Sequence, residues 1–432
     1  MISKIIIHLA VSLVASYFAA LCAAATINRP STFAFPRHLV GLNESIEEEL
    51  RAYQQKYRPV DLGIDLLDDD APMFIRRAMA NATLSDDPYA NQLTHPNGIL
   101  RLRKAIAEMY SPLVGRRLEP EDHVVVTQGA TEAVYAAFTG HTSPGDEWIV
   151  IEPAYLMYVP MIKISKGVPR YTSLKLMKAN GTINGDDWVL NKAEMESLFN
   201  EKTKGILLNN PLNPIGKVYK REELEFIAGL AIKYNAIVIC DEAHEWITHK
   251  PHVRIASLPG MFERTITIGT SSKTFSVAGF RIGWAYGHAN VLNHLKTAHE
   301  VAVYSSPAPQ QVAVAYAFER ELCNFGAPDS YLISHLRTVK QQRDAMIEAL
   351  AGTGITPVIA DGGFCMLANW SALGAKITNV YGSMQFIIWM IKNVGVLGLP
   401  LPAFYGPEHK HIGEDFVRFC FHKVGEIIRM LL

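Results

Sequence analysis

Lys273 lies in the run Gly-Thr-Ser-Ser-Lys-Thr-Phe-Ser-Val-Ala-Gly-Phe-Arg-Ile-Gly-Trp, directly after an apolar β-rich stretch where a lone lysine is normally avoided. A lysine in a partly desolvated pocket can lose its proton and attack a carbonyl, which is what forming an imine with an aldehyde cofactor such as pyridoxal 5'-phosphate requires. Taken singly, a lysine is most often a surface residue. Here Thr270, three residues before it, and Arg281, eight residues after it, change the odds. A hydroxyl and a guanidinium suit a phosphate dianion, the guanidinium through paired charge-assisted bonds.

Asp241 ends the apolar run Ala-Ile-Val-Ile-Cys, where a carboxylate is costly to bury without a cationic partner. A protonated pyridine nitrogen is one such partner; a helix cap or a surface aspartate is the plainer alternative. Asn213, in Asn-Asn-Pro-Leu-Asn-Pro-Ile-Gly, carries an amide able to donate to a phenolate oxygen on a loop stiffened by prolines, although Asn-Pro alone marks a turn. Gly129, Ala130 and Thr131 open an expected helix whose free N–H groups can hold a phosphate, and Tyr155 could stack on a ring or simply pack. Arg418, alternating with aromatics in Asp-Phe-Val-Arg-Phe-Cys-Phe, has a planar fork suited to an α-carboxylate; by itself it reads first as a strand arginine on a solvated face.

These residues need a scaffold, and the chain supplies one. Short runs apolar on both faces, VVVT (124–127), WIVIE (148–152), GILLNN (205–210), AIVICDE (236–242) and TITIGT (265–270), alternate with helical patterns. That is the signature of a mostly parallel sheet covered by helices, whose ligands gather beyond the carboxyl ends of the strands. Each candidate loop follows one of these runs. A large domain over 75–320 is expected, with a smaller α+β domain from 28–74 and 321–432 that includes a helix from Tyr331 to Leu350.

Composition narrows the function classes. The 432 residues carry 41 Lys+Arg against 42 Asp+Glu, a net charge of −1, and are 49% hydrophobic, so no basic field exists to gather nucleic acid and a small-molecule partner is expected. The five cysteines show no CxxC pair and read as buried apolar fillers; no metal site is expected. Residues 1–27 form a hydrophobic segment that reads as a signal peptide or an uncleaved anchor, with a wrongly assigned start codon as the plain alternative. A membrane partner is expected only if that segment is an uncleaved anchor. No GxGxxG follows an early strand, which sets a nicotinamide enzyme aside.

The stretches NNPLNPIGKVYKREELE, IASLPGMFERTITIGTSSKTF and VRFCF together make the chain from residue 37 onward resemble the fold-type I aminotransferases of class I/II, aspartate aminotransferase-like in fold. Within them it resembles the kynurenine aminotransferase, glutamine transaminase K and cysteine-S-conjugate β-lyase family. The resemblance implies pyridoxal 5'-phosphate on Lys273 as the catalytic residue, Asp241 at the pyridinium, Asn213 and His244 at the phenolate oxygen and Tyr155 on the ring. It implies Ala130, Thr131, Thr270 and Arg281 around the phosphate, and Gly63, Asn213 and Arg418 at the substrate. It further implies a homodimer that is cytosolic or mitochondrial in the family, an amino acid donor and a 2-oxo acid acceptor. Transfer from kynurenine, glutamine or aromatic and sulfur amino acids is the leading expectation, β-elimination of cysteine S-conjugates the second, and a catalytically weak paralogue the third.

Four departures accompany the resemblance. His244 replaces a usual tyrosine, and its charge varies near neutral pH. Leu93 stands where the family has a tyrosine reaching the neighbouring subunit's phosphate. Asp65 replaces a glycine next to the substrate, and the tail after Phe421 is shorter than the family's closing helix.

Overall fold

The computed structural model describes residues 42, 46–65, 70–178, 181–374, 377 and 380–423. The chain divides between Asn43 and Glu44 into two units, and the strands and helices named below all belong to the unit from Glu44 onward. The hydrophobic segment 1–27 and the tail beyond Lys423 lie outside the described residues. Among the described residues, no helix is long and apolar enough to cross a membrane.

The strands are β1 (Val60–Asp61), β2 (Val124–Thr127), β3 (Glu147–Glu152), β4 (Val168–Leu176), β5 (Ile183–Asn184), β6 (Trp188–Leu190), β7 (Thr203–Asn209) and β8 (Ile237–Asp241). They continue with β9 (Thr265–Thr270), β10 (Gly283–Tyr286), β11 (Thr356–Ile359), β12 (Cys365–Asn369), β13 (Val396–Leu397), β14 (Leu399–Pro400) and β15 (Phe416–Cys420). The five expected runs become β2, β3, β7, β8 and β9. They lie in one eight-stranded sheet of order β2-β10-β9-β8-β7-β3-β4-β6, parallel except where β10 and β6 run antiparallel to their neighbours. The fold is therefore α/β with a mostly parallel large sheet.

Period-two alternation explains why these runs are apolar throughout. Val125, Ile239 and Ile266 pack with Phe138, Val134 and Leu292 of the helices Ala130–His141 and Ala289–Val303. Their neighbours Val124 and Val126 face the opposite layer with Tyr110, Trp284 and Phe318. Each such fully buried side chain contributes roughly 1.5–3 kcal/mol relative to exposure, so the sheet is a rigid floor for the loops at its carboxyl edge.

A second, five-stranded sheet has the order β14-β15-β12-β11-β5 and is covered by Tyr331–Leu350, the helix expected from the sequence, and by Ser383–Asn393. Here β1 pairs in parallel with β13, and the chain leaving β1 is pinned on both sides: Leu62 N donates to Leu397 O at 2.9 Å and Cys420 N donates to Leu62 O at 2.7 Å. This fixes the segment that runs on through Gly63 to Asp65.

The reading of every cysteine as a buried filler is corrected here. Cys365 and Cys420 are register partners in the β12–β15 ladder and form a disulfide, a pairing hidden by their sequence separation of 55. Cys240 is buried and free, as expected, whereas Cys323 is free and exposed; Cys22 lies outside the described residues.

Candidate active site

The loops after β2, β3, β7, β8 and β9 converge on one cavity. Its lining includes Ala130, Thr131, Tyr155, Asn213, Asp241, His244, Thr270, Lys273 and Arg281, together with Arg418 from β15. Every residue expected to touch a cofactor is thus brought to one place, although the sequence spreads them from 130 to 281. Gly63 joins through its carbonyl oxygen, which accepts from Arg418 Nη2.

Asp241 sits at the carboxyl end of β8, buried, where its backbone is held by the β7 and β9 ladders. Burial raises its carboxyl above the ordinary value; the Tyr158 hydroxyl, donating to Oδ2 at 2.7 Å, and the Ala243 N–H, donating to Oδ1 at 3.0 Å, pull the other way. The turn after β8 is braced from behind: the Arg254 guanidinium lies 3.3 Å from the Glu242 carboxylate and also bonds Glu245, which accepts from the Tyr110 hydroxyl. That bracing keeps Asp241 and His244 on their side of the sheet.

At the opposite end, Gly129 has φ 83° and ψ 167° and precedes the helix Ala130–His141, leaving the first N–H groups of that helix turned to the cavity. A Cβ at Gly129 would lie 2.6 Å from Arg281 Nη2, so only glycine lets the guanidinium rest there. Arg281 Nη1 donates to Ala278 O at 3.1 Å, and Arg281 itself has φ 52°. Thr270 caps the short turn Ser271–Thr274, its Oγ1 accepting from Ser272 N at 3.2 Å.

Lys273 stands between these ends. Its Nζ lies 2.8 Å from Asp65 Oδ1, donates to Asp65 O at 2.7 Å, and sits 5.4 Å from the centre of the Phe364 ring. The second oxygen of Asp65 is 3.5 Å from His244 Nε2. Burial alone would raise the Asp65 carboxyl, but the Lys273 charge, the His244 contact and the more distant Arg418 outweigh it and hold it well below the usual carboxylate range.

Arg418 is buried rather than on a solvated face, which corrects the first reading of it from strand pattern alone. Its Nη1 donates to Asn213 Oδ1 at 3.0 Å, and its guanidinium lies 4.9 Å from the Phe404 ring centre. Asn213 is itself fixed by its N–H donating to Asn209 Oδ1 at 2.9 Å. Leu93 is exposed and absent from the lining.

The donor set suits pyridoxal phosphate. A buried carboxylate lies at one end, and an arginine with a helix N-terminus and a capped turn at the other, in a cradle that a side chain at Gly129 would fill. A lysine amine stands between them. Sequence reasoning missed Tyr158, Asn209 and Ser272. Asn209 and Ser272 lie inside motifs already singled out, whereas Tyr158 carries no signal until the strand order sets it beside Asp241.

Comparison with known proteins identifies the family and the fold. Residues 58–431 match the family model for aminotransferase class I and II. Kynurenine–oxoglutarate transaminase 1 of Mus musculus is 36% identical over 397 residues, covering 90% of this chain and 93% of the relative. Kynurenine–oxoglutarate transaminase of Dictyostelium discoideum is 35% identical over 421 residues, covering 92% and 95%. Among solved structures, Bna3p of Saccharomyces cerevisiae superposes with a TM-score of 0.87 at 26% identity over 93% of this chain and 98% of that one. N-Succinyldiaminopimelate aminotransferase of Mycobacterium tuberculosis gives 0.83 at 29% identity over 92% and 98%.

Proposed function

The chain belongs to aminotransferase class I and II, and from that membership we propose that it moves the amino group of kynurenine, glutamine or aromatic and sulfur amino acids onto a 2-oxo acid, with Lys273 as its catalytic residue. It is a pyridoxal-phosphate-dependent transaminase acting on an amino acid donor and a 2-oxo acid acceptor. The donor range rests on its similarity to kynurenine–oxoglutarate transaminases. The observation that carries the reading is the single cavity in which Lys273 lies among Asp241, Arg281 and Arg418.

When bound, pyridoxal phosphate supplies an electron sink for the pair released at the substrate α-carbon and carries the amino group between the two half-reactions. In our reading the chain's own residues do the rest. Lys273 Nζ would be the attachment point, and its amine would serve as the base that holds the proton taken from the substrate α-carbon. Asp241, whose carboxylate accepts from the Tyr158 hydroxyl and the Ala243 N–H, would pair with the ring nitrogen and favour its protonated form. Asn213 and His244 donate to the phenolate oxygen, and Tyr155 packs on the ring. Arg281, Thr270, Ser272 and the N–H groups at Ala130 and Thr131 grip the phosphate. Arg418, oriented by Asn213 and Gly63, receives the α-carboxylate through its fork.

The same reading carries two architectural proposals. Of the described residues from Glu44 onward, those within 75–320 form the large cofactor-binding domain and those within 28–74 and 321–432 the small one, residues 28–41 lying outside the described residues. A homodimer is supported by membership of a family in which homodimers are typical, and light scattering on the purified protein tests it. Function is tested by adding kynurenine, glutamine, phenylalanine or methionine to the loaded protein. Loss of the visible cofactor band with matching 2-oxo acid release, and its return on adding an acceptor, supports the reading; no change with any amino acid defeats it.

A further inference from the structure

We propose that Asp65 sets the substrate class of this site, restricting it to amino acids and 2-oxo acids that carry one carboxylate and discriminating against dicarboxylic ones. The inference rests on the aminotransferase reading and narrows it. The basic side chains lining the cavity among the described residues are His244, Lys273, Arg281 and Arg418. Arg281 lies at the end away from Arg418, its Nη1 on Ala278 O and its Nη2 against Gly129. Arg418 is aimed by two neutral acceptors, Asn213 Oδ1 and Gly63 O, so its fork is oriented for one carboxylate.

Within this chain, the basic groups left to meet a second carboxylate on the substrate are the other two, and Asp65 engages both. One oxygen lies 2.8 Å from Lys273 Nζ and the other 3.5 Å from His244 Nε2. Attachment of the cofactor to Lys273 leaves His244 as the remaining seat, still faced by Asp65. A dicarboxylic substrate therefore meets a fixed negative charge where it would need a positive one. Two like charges about 5 Å apart in a partly buried site oppose binding by roughly tenfold or more. The backbone leading to Asp65 is held in place, because Leu62 is pinned between β13 and β15 and the Gly63 and Ile64 N–H groups donate to Asp61 Oδ1. A neutral side chain, aromatic or aliphatic, meets no such charge conflict.

The test uses chain-matched pairs on the loaded full-length protein. Inert pentanoate and glutarate are titrated against the visible absorbance of the bound cofactor, and 2-oxopentanoate and 2-oxoglutarate are compared as acceptors by kcat/KM. The wild type should favour the monocarboxylate by roughly tenfold or more in both measurements. Asp65→Asn, which keeps the shape and removes the charge, and Asp65→Gly should each shrink the preference by about the same factor, with the gain on the dicarboxylate. Equal use of both acceptors by the wild type, or variants whose preference stays within about twofold of it, would overturn the proposal. If neither variant folds, the wild-type pairs still decide. Failure of the transaminase reading looks different: carboxylates bind, yet no amino acid alters the absorbance.

Discussion

Replacing Gly129 with alanine separates the cost of backbone strain from the loss of phosphate grip. Gly129 has φ 83° and ψ 167°, a region that is essentially glycine's alone, so any Cβ there costs of order 1–3 kcal/mol of folding stability. The new Cβ would also lie 2.6 Å from Arg281 Nη2. Because that atom ends a flexible side chain, the clash is relieved by moving the guanidinium, at little further cost in stability. What is lost instead is a charge-assisted bond to the phosphate, worth about 1.5–3 kcal/mol, or roughly ten- to 150-fold in cofactor affinity. Gly145→Ala is the control: its φ of 94° imposes comparable strain, but nothing lies within 4 Å of its Cβ. Urea denaturation of the cofactor-free proteins and absorbance titration with pyridoxal phosphate give the two quantities. Both variants should lose stability, and only Gly129→Ala should lose affinity. In an Arg281→Ala background, Gly129→Ala should add little further loss. Full affinity in Gly129→Ala, or equal affinity loss in Gly145→Ala, would refute the assignment of Arg281 to the phosphate.

Other residues give independent checks. Arg418→Lys keeps the charge but loses the fork held by Asn213 and Gly63, so kcat/KM for amino acids should fall by about ten- to 100-fold while the visible band of the bound cofactor stays intact; unchanged kinetics would remove Arg418 from carboxylate binding. Tyr158→Phe deletes the 2.7 Å bond to Asp241 and pushes that buried carboxyl further up, so cofactor affinity should drop by about tenfold or more. An equal dissociation constant in wild type and Tyr158→Phe would count against Asp241 as the ring's anionic partner. Asp65, held below its ordinary value by Lys273 and His244, contributes stability that is present above its unfolded value of 3.8 and is lost as pH falls toward the native one. The urea midpoint of Asp65→Asn should therefore fall less steeply below pH 4 than the wild type's, and parallel acid limbs would show that the Lys273 pair adds nothing.

Residues that end buried strands were legible from the sequence because strand ends are where a parallel sheet collects its ligands. Lys273, Asp241 and Asn213 each follow a run apolar on both faces, and all three line the cavity. Tyr158 was not legible: it reaches Asp241 only because β3 and β8 lie on either side of β7. The environment of Asp65 was hidden for the same reason. Its ion pair with Lys273 spans 208 residues and depends on β1 docking against β13. The Cys365–Cys420 bond likewise needs the register of two antiparallel strands. Local pattern fixes which residues leave the sheet edge, whereas strand order and register decide which of them meet.

Whether Lys273 carries the cofactor and yields it to an amino donor is decided by loading the purified protein with pyridoxal phosphate, reducing it with borohydride, and mapping the modified peptide by mass spectrometry before and after exposure to kynurenine. A pyridoxyl group is expected on Lys273 and absent from Lys273→Ala, and kynurenine given before reduction should release the cofactor from that lysine. A label on another lysine, or a label on Lys273 that no amino donor can displace, would contradict the assignment.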